Sequence, residues 1–245
     1  MEQTNYNPSN LQGDVQATGT SSAVVSNQII IDGKISTDIL LSHNTHGENI
    51  YSFTVSSPRL NNEVTDDIPV EVSERVVDIS SFHKGDFVRV VGQFRSYNQY
   101  DESLDRVRLK LFIFARDIEH SDNYDSRKNS IRLIGFICKN PVFRTTPQGR
   151  EISDAILAVN RMYKKTDYIP CIAWSRNARF LSRLEVGTKI ELEGRVQSRS
   201  YRKKISEEEF ESRTVYEVSI SSLQVLEVPR EREESNDNQE DIENS

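Results

Sequence analysis

Apolar and polar residues alternate along short segments in the second half of the chain, which is the pattern of half-buried β-strands. In ISDAILAVNRMY, Ala155, Leu157 and Val159 fall on one face. In TKIELEGRVQSRSY, the same alternation predicts Ile190 inward and Gln197 outward. The stretches IRLIGFI, DYIPCIAW and RTVYEVSISSLQVLEV complete a set of five predicted strands.

The segment SRNARFLSRLEVG breaks this two-residue period, because Ala178, Leu181 and Leu184 fall at helical spacing. Ser175 can cap the start of this helix and Gly187 its end. The stretch NPVFRTTPQGRE predicts a turn-rich connection after the first strand. The order strand, strand, strand, short helix, strand, strand suits the five-stranded barrel of the oligonucleotide/oligosaccharide-binding (OB) fold.

The same pattern occurs twice, at a spacing close to 102 residues. NQIIIDGKI (27–35) matches NSIRLIGFI (129–137), and KGDFVRVVGQF matches VGTKIELEGRV. DDIPV matches TDYIPC one residue out of step, and the two RSY triplets, 95–97 and 199–201, match after a two-residue slip. The chain is therefore predicted to be all-β, with two tandem five-stranded OB barrels that each carry a short helix between strands three and four.

These matches divide the chain into five segments. Residues 27–120 are predicted to be a first, degenerate OB fold and residues 129–228 a second, joined by a linker at 121–128. Residues 1–26 are rich in Asn, Ser, Thr, Gln and Gly, and residues 229–245 are acidic. Neither end has enough apolar residues to form a core, so both are predicted to be disordered tails.

One strand of the second unit carries large rings on its outer face. In TDYIPCIAW, alternation directs Ile169, Cys171 and Ala173 inward and sends Tyr168 and Trp174 outward with Pro170 and Ile172. At the usual strand rise the two rings are about 20 Å apart. Flat rings spaced in this way on an outer face favour base stacking over core packing.

Residues 129–201 carry further motifs in a fixed order, namely a P…R.TP.G turn, LAVNR.Y, TD.IPC.AW and EG..Q.RSY. In these motifs the chain resembles the bacterial single-stranded-DNA-binding protein family. The resemblance implies binding of single-stranded DNA without sequence preference, in replication, recombination and repair. It also implies that four aromatic side chains stack the bases. We call them the ring set: Tyr163, Tyr168, Trp174 and Tyr201.

Basic residues surround the ring set and are predicted to contact phosphates, as in other grooves that bind single strands. They are Arg161, Lys164, Lys165, Arg199, Arg202, Lys203 and Lys204. The net charge of the chain is −7, but residues 129–228 hold 17 basic and 12 acidic residues, a balance of +5. Residues 27–120 hold 10 basic and 15 acidic residues, a balance of −5.

The first unit departs from the ring pattern. The residues that align with the ring set are Asn61, Asp67, Ser73 and Tyr97, of which only Tyr97 is aromatic. This face is expected to bind phosphate poorly and to serve in packing, in a dimer interface or along part of the path of the strand. Some members of the family carry two OB folds per chain and dimerise, so the resemblance implies a homodimer with four OB folds.

Other features narrow the possible functions. The chain lacks the basic start and apolar centre of a signal peptide and any apolar run of about 20 residues, which predicts a cytoplasmic protein, bacterial and nucleoid-associated by the resemblance. It lacks the phosphate-loop, nucleophile-elbow and zincin motifs, so no enzyme activity and no cofactor are expected.

HNTHGE offers His43, His46 and Glu48, but two imidazoles in a turn without cysteine favour a polar loop over a metal site. Cys138 and Cys171 are expected to be small buried residues.

Two alternatives remain open at this stage. One is an accessory OB-fold protein of replication or restart that acts mainly through protein contacts, and the other is an RNA-binding OB protein. The acidic tail could recruit replication and repair proteins, although it ends in DIENS without the terminal apolar residue that the family typically carries.

Overall fold

A computed structural model describes residues 25–59, 64–101, 105–123, 126–204 and 210–229, with the side chains of 203–204 and 210–213 left out. The predicted tails lie outside the described residues except for Val25, Ser26 and Pro229. The chain is all-β, as predicted, and its strands form two barrels with the same internal order.

The first module is a closed five-stranded barrel with one additional strand. Its strands are β1 (Asn27–Ile35), β2 (Leu40–Thr45), β3 (Glu48–Pro58), β4 (Thr65–Ser73), β5 (Phe87–Asp101) and β6 (Arg106–His120). The barrel follows the order β1-β3-β4-β6-β5 and closes from β5 back to β1. The pair β4–β6 is parallel, and β2 extends the sheet outside the barrel along β3.

The second module repeats this arrangement. Its elements are β7 (Asn129–Ile137), β8 (Val142–Thr145), β9 (Glu151–Asn160), β10 (Thr166–Trp174), α1 (Ser175–Leu181), β11 (Lys189–Lys204) and β12 (Phe210–Glu227). The barrel order is β7-β9-β10-β12-β11, and β8 lies outside it along β9. The helix lies between the third and fourth barrel strands, which confirms the predicted OB fold.

Three local predictions are wrong. Residues 142–145, predicted to be part of a turn-rich connection, form strand β8 against β9. Ser175 does not cap α1, because Trp174 is the N-cap residue and Ser175 is the first helical residue, with φ of 50°. The helix ends at Leu181 rather than near Gly187, which instead adopts a φ of 91° in the turn before β11.

The first module has only a short 3-10 turn, Ile79–Ser81, where a helix was predicted. Asp78 Oδ1 accepts a hydrogen bond from the Ser80 amide at 3.1 Å. Short polar side chains that bind the nearby backbone compete with helix formation, and adjacent β-branched residues such as Val76 and Val77 disfavour it.

Equivalent glycines allow the first two barrel strands of each module, β1 and β3 or β7 and β9, to approach closely. A Cβ on Gly33 would lie 2.5 Å from the Ser56 carbonyl oxygen, and one on Gly135 would lie 2.5 Å from that of Ala158. Contacts this short are not tolerated, so these positions require glycine in both modules. Gly33 and Gly135, 102 residues apart, are therefore subject to the same steric constraint, the lack of space for a Cβ atom next to a neighbouring carbonyl oxygen.

The two barrels join through their first strands. β1 and β7 pair antiparallel, with Asn27 opposite Leu133, Ile29 opposite Ile131 and Ile31 opposite Asn129. Because Ile29 and Ile131 are equivalent residues, an approximate twofold axis passes between them. The result is a continuous six-stranded sheet, β6-β5-β1-β7-β11-β12, across both modules.

Equivalent asparagines tie strands together on both sides of this axis. The Asn27 amide donates to the Phe94 carbonyl at 2.7 Å and accepts from the Phe94 N–H at 2.9 Å. Asn129 makes the same two bonds to the backbone of Val196, at 2.8 and 3.0 Å. Each side chain thereby satisfies two backbone groups that the strand ladder leaves unpaired at this point.

The substitution Asn27→Ala is expected to lower the free energy of unfolding by about 2–3 kcal/mol, because it leaves a buried backbone donor and acceptor without partners. Urea unfolding followed by circular dichroism measures this loss. The matched control Asn98→Ala, at an exposed position on β5, is expected to change it by less than about 0.5 kcal/mol. Equal effects of the two substitutions would contradict a structural role for the Asn27 amide.

Candidate nucleic-acid interface

Tyr168 and Trp174 lie on the outer face of β10, where alternation predicted them. Their exposed fractions are 47% and 37%, whereas Ile169 and Ala173 on the other face are fully buried. Ile172, predicted to face outward with them, is only 5% exposed because β10 is flanked by both β9 and β12. The two rings therefore stand at the ends of a strand whose middle is covered.

Tyr163 lies in the tight turn between β9 and β10. Its φ is 61° and that of Lys164 is 57°, and the Arg161 amide closes the turn by donating to the Lys165 carbonyl at 2.7 Å. A backbone in the left-handed region is uncommon for a bulky residue. Here it presents the Tyr163 ring to solvent, with 89% of the residue exposed.

Tyr201 lies far along β11, opposite Arg213 on β12, and is 38% exposed. The guanidinium of Arg199 lies 5.9 Å from the centroid of its ring, within cation–π range. The long β11–β12 hairpin does not stay with its own barrel but packs beside β4 of the first module. Tyr201 thus stands at the boundary between the two modules.

A groove of about 750 Å³ runs along this boundary, and we call it the intermodule groove. From the second module it is lined by Pro170, Tyr201 and Tyr216, and from the first by residues of β4, β5 and β6 that include Glu71 and Tyr97. Pro170 lies between Tyr168 and Trp174 on β10, so the groove continues from the ring-bearing face. Rings of both modules therefore line one surface.

Tyr97 reaches this groove from a position that the sequence alignment misplaced. Beyond the bulges at Gly92 and Gly194, both hairpins pair without interruption, so the spacing of 102 residues persists and the predicted two-residue slip does not occur. Tyr97 is thus equivalent to Arg199, and the residue equivalent to Tyr201 is Gln99. The first module carries its tyrosine two residues away from the ring position.

Buried carboxylates join the two modules on both sides of the twofold axis. Asp66 on β4 has no exposed surface and accepts hydrogen bonds from Arg59 Nη2 at 2.7 Å and from the Ser198 amide at 2.8 Å. Arg195 Nη1 donates to its other oxygen at 3.0 Å. The first module therefore holds the strand that carries Arg199 and Tyr201.

Asp167, the equivalent carboxylate of the second module, makes the reciprocal contact. It accepts from the Ser96 amide of β5 at 2.7 Å, and the Tyr168 amide donates to Ser96 Oγ at 2.9 Å. Arg161 Nε lies 3.0 Å from Asp167 Oδ2, so this arginine, predicted to bind phosphate, is engaged in an ion pair. Burial raises the pKa of the Asp167 carboxyl, an effect that Ser96 and Arg161 partly offset.

The other residues predicted to contact phosphates are exposed, as far as the structure describes their side chains. Lys164, Lys165, Arg199 and Arg202 are exposed. Lys165 also lines a second groove, of about 540 Å³, on the face of the first module. The side chains of Lys203 and Lys204, and the whole of Asn61, lie outside the described residues.

In the first module, polar groups replace the rings. Asp67 is exposed and accepts a hydrogen bond from Ser56, and Ser73 is buried and donates to Glu48. Glu48 is thus occupied within the HNTHGE turn. No group of three His, Cys, Asp or Glu residues that could hold a metal ion occurs in the described part of the chain.

Three other predictions concern single residues or segments. Cys171 is buried and Cys138 half-buried, both as free thiols, and burial raises the pKa of each. Gln197, predicted outward, is buried because its amide donates to Glu217 at 2.7 Å. Among the described residues no helix is long and apolar enough to span a membrane.

Comparison with known proteins gives a family match over the second module and relatives that match part of the chain. The model of the single-strand binding protein family matches residues 128–226. Single-stranded DNA-binding protein 2 of Listeria innocua is 33% identical over 113 residues, which make up 43% of this chain and 68% of that protein. The chain belongs to the single-strand binding protein family.

The family match concerns the second barrel, and the structural match extends to both. The chain spans only about three fifths of the length of some relatives, such as 59% of single-stranded DNA-binding protein A of Bacillus subtilis, to which it is 33% identical. The crystal structure of the single-stranded DNA binding protein from Thermus aquaticus superposes with a TM-score of 0.67 at 19% identity, covering 83% of this chain and 94% of that one. This likeness shows that both chains share the tandem OB fold.

Sequence reasoning offered Tyr97 as a binding residue and packing against the second module as one role of the first, but it missed the particular residues through which the first module contacts the second. Ser96 and Asp66 hold the backbone beside Tyr168 and Tyr201, and Tyr97 and Glu71 line the intermodule groove. A signal was present, because each aspartate precedes an Ile-Pro pair at the same place in both repeats. Charged residues at core-facing strand positions require partners, and here an arginine of the same repeat and a backbone amide of the other repeat supply them.

The substitution Asp66→Ala is expected to cost about 3–5 kcal/mol of unfolding free energy, because Arg59, Arg195 and the Ser198 amide lose a buried anionic partner. Urea unfolding measures the loss, and hydrogen exchange of the Ser198 amide is expected to accelerate. Asp117→Ala, at an exposed position on β6, serves as the control and is expected to be nearly neutral. Unchanged protection of Ser198 would show that the carboxylate does not hold β11.

Proposed function

We propose that the protein binds single-stranded DNA without strong sequence preference, by stacking bases on the ring set and attracting phosphates to the basic residues around it. The observation that carries this proposal is the exposure of all four rings of one barrel, with Tyr201 lining a groove that continues from the β10 face. Because these rings are exposed, they do not contribute to core packing. Each nucleic-acid base has a flat face that can stack on such a ring.

Stacking accounts for binding that tolerates any sequence. A base stacked on an aromatic side chain contributes roughly 1–3 kcal/mol whatever its identity. Basic residues of the second module add an attraction to phosphates that falls with salt. The protein would act by binding energy alone, with no catalytic step, by covering and unfolding single strands during replication, recombination and repair. This role assigns it to the bacterial cytoplasm, on the nucleoid.

The two barrels would have different shares in this task. We assign the main contact with the strand to residues 129–228, which carry the ring set and a charge balance of +5. Residues 27–120 would support it by holding β10 and β11 in place. The acidic segment 229–245 would recruit proteins of replication and repair, although it lacks a terminal apolar residue.

We also propose that two chains associate to give four OB folds. The outer face of the six-stranded sheet carries half-buried apolar residues on adjacent strands, among them Ile30, Val91, Ile134 and Phe136. Such a face, with barrel cores beneath it, is suited to packing against a copy of itself around a second twofold axis.

Sedimentation equilibrium is expected to give the mass of two 28.2-kDa chains at micromolar concentration. Ile134→Glu is expected to convert this species to one chain, because a desolvated charge at the interface disfavours association. Glu185→Lys, at an exposed position before β11, is the control and should leave the mass unchanged. A single-chain mass for the unmodified protein would contradict the dimer.

The substitution Trp174→Ala is expected to weaken binding of oligo-dT by roughly 1–3 kcal/mol, through loss of one stacked base. Tyr97→Ala, in the first module, is expected to cost clearly less. Fluorescence anisotropy of a labelled oligonucleotide measures both affinities. Because the chain has one tryptophan, quenching of its emission on titration with oligo-dT reports independently whether Trp174 meets a base.

Different outcomes would point to different functions. Unchanged Trp174 emission together with a flat salt response would contradict the stacking proposal and favour an accessory role through protein contacts. Equal losses for Trp174→Ala and Tyr97→Ala would contradict the unequal shares of the two modules. Equal affinities for oligo-dT and oligo-rU would favour the RNA-binding alternative.

A further inference from the structure

A carboxylate stands in the intermodule groove at a place where a nucleic-acid surface would not be expected to carry one. Glu71 lies on the outer face of β4, half-buried, and lines both the intermodule groove and the second groove on the first module. Its equivalent in the second module is the buried Ile172. A glutamate has thus replaced an apolar side chain on the corresponding face.

Aromatic and basic residues surround Glu71. Tyr97 and Phe112 line both grooves with it, and their rings meet edge to face at a centroid distance of 5.6 Å. Arg95 covers the ring of Phe114 at 4.0 Å on the same face, and Lys165 reaches this face from the second module. The surroundings combine flat apolar walls with cationic groups, which suits a nucleotide more than a peptide segment.

The carboxylate of Glu71 retains its capacity to accept hydrogen bonds. Within the described part of the chain it makes no direct hydrogen bond or close ion pair, and His43 and Arg95 influence it only through electrostatic interaction without contact. Burial raises its pKa, and both burial and the Glu71 charge raise the pKa of Tyr97. A partly desolvated acceptor of this kind is stabilised when a hydrogen-bond donor reaches it and is destabilised when a negatively charged phosphate approaches it.

We propose that the single strand continues from the ring set into the intermodule groove, where Glu71 accepts a hydrogen bond from the exocyclic amine of a base. Among the bases, cytosine presents its N4 amine to a carboxylate, whereas thymine presents a carbonyl at the same place. Repulsion by Glu71 turns the phosphates away from the floor of the groove, toward the exposed Lys110 and Lys165. This inference rests on the proposed single-strand binding and adds a modest base preference to it.

The test compares affinities for oligo-dC and oligo-dT of roughly 35 nucleotides, long enough to contact two OB folds of up to about 16 nucleotides each. Glu71→Gln keeps the shape of the side chain, but its amide can accept from cytosine or donate to thymine. The ratio of dC to dT affinity is therefore expected to fall about fivefold, the difference between a charge-assisted and a neutral hydrogen bond. Glu74→Gln makes the same change just beyond β4 and should leave the ratio unchanged.

The ratio separates recognition from simple charge removal, because loss of repulsion strengthens binding of both oligonucleotides equally. An equal gain for both, or no change for either, would overturn the role of Glu71. If Trp174→Ala still weakens the binding of both oligonucleotides in that case, the proposed function stands without this inference. If Trp174→Ala leaves both affinities unchanged, both proposals fail, and the groove becomes a candidate site for a protein partner.

Discussion

Two buried carboxylates, Asp66 and Asp167, hold this molecule together as one unit. Each lies on the third barrel strand of its own module and accepts a backbone amide from the fourth strand of the other. A buried charge is costly unless it is paired and hydrogen-bonded, and each carboxylate combines an arginine of its own barrel, Arg59 or Arg161, with a backbone amide of the other. Because the contacts are reciprocal, the positions of β4 and β11, and of β5 and β10, depend on both modules. The orientation of the candidate interface, which lies on β10 and β11, therefore depends on both modules as well.

This dependence changes the meaning of the weak ring pattern in the first module. Judged alone, its acidic face and its lack of aligned rings indicate a barrel that has lost contact with nucleic acid. In the structure it holds the backbone beside Tyr168 and Tyr201 and contributes Tyr97 to the same groove. A module without aromatic side chains at its own ring positions can therefore still determine the shape of the candidate interface.

The sequence was informative where one repeating physical rule decides the structure. Alternation predicted the barrel strands and the exposed Tyr168 and Trp174, because strand geometry depends on local spacing. It failed where distant groups decide. Gln197 is buried by Glu217 from the neighbouring strand, and Arg161 is engaged by Asp167, and neither partner can be inferred from spacing. The misplacement of Tyr97 has another cause. The alignment followed the identical RSY triplets at 95–97 and 199–201, whereas the uninterrupted strand pairing keeps the spacing of 102 residues.

The approximate twofold axis between Ile29 and Ile131 also has an evolutionary consequence. In a homodimer of single barrels every substitution appears on both sides of the axis, so a change that suits one subunit is imposed on the other. Fusion into one chain removes that coupling. The ion pairs beside the axis already differ, since Arg89 meets Asp32 on one side, while its equivalent, Glu191, carries the opposite charge and meets Arg132, which is not the equivalent of Asp32. One gene can thus keep the exposed rings in one half of the chain while the other half acquires a different surface.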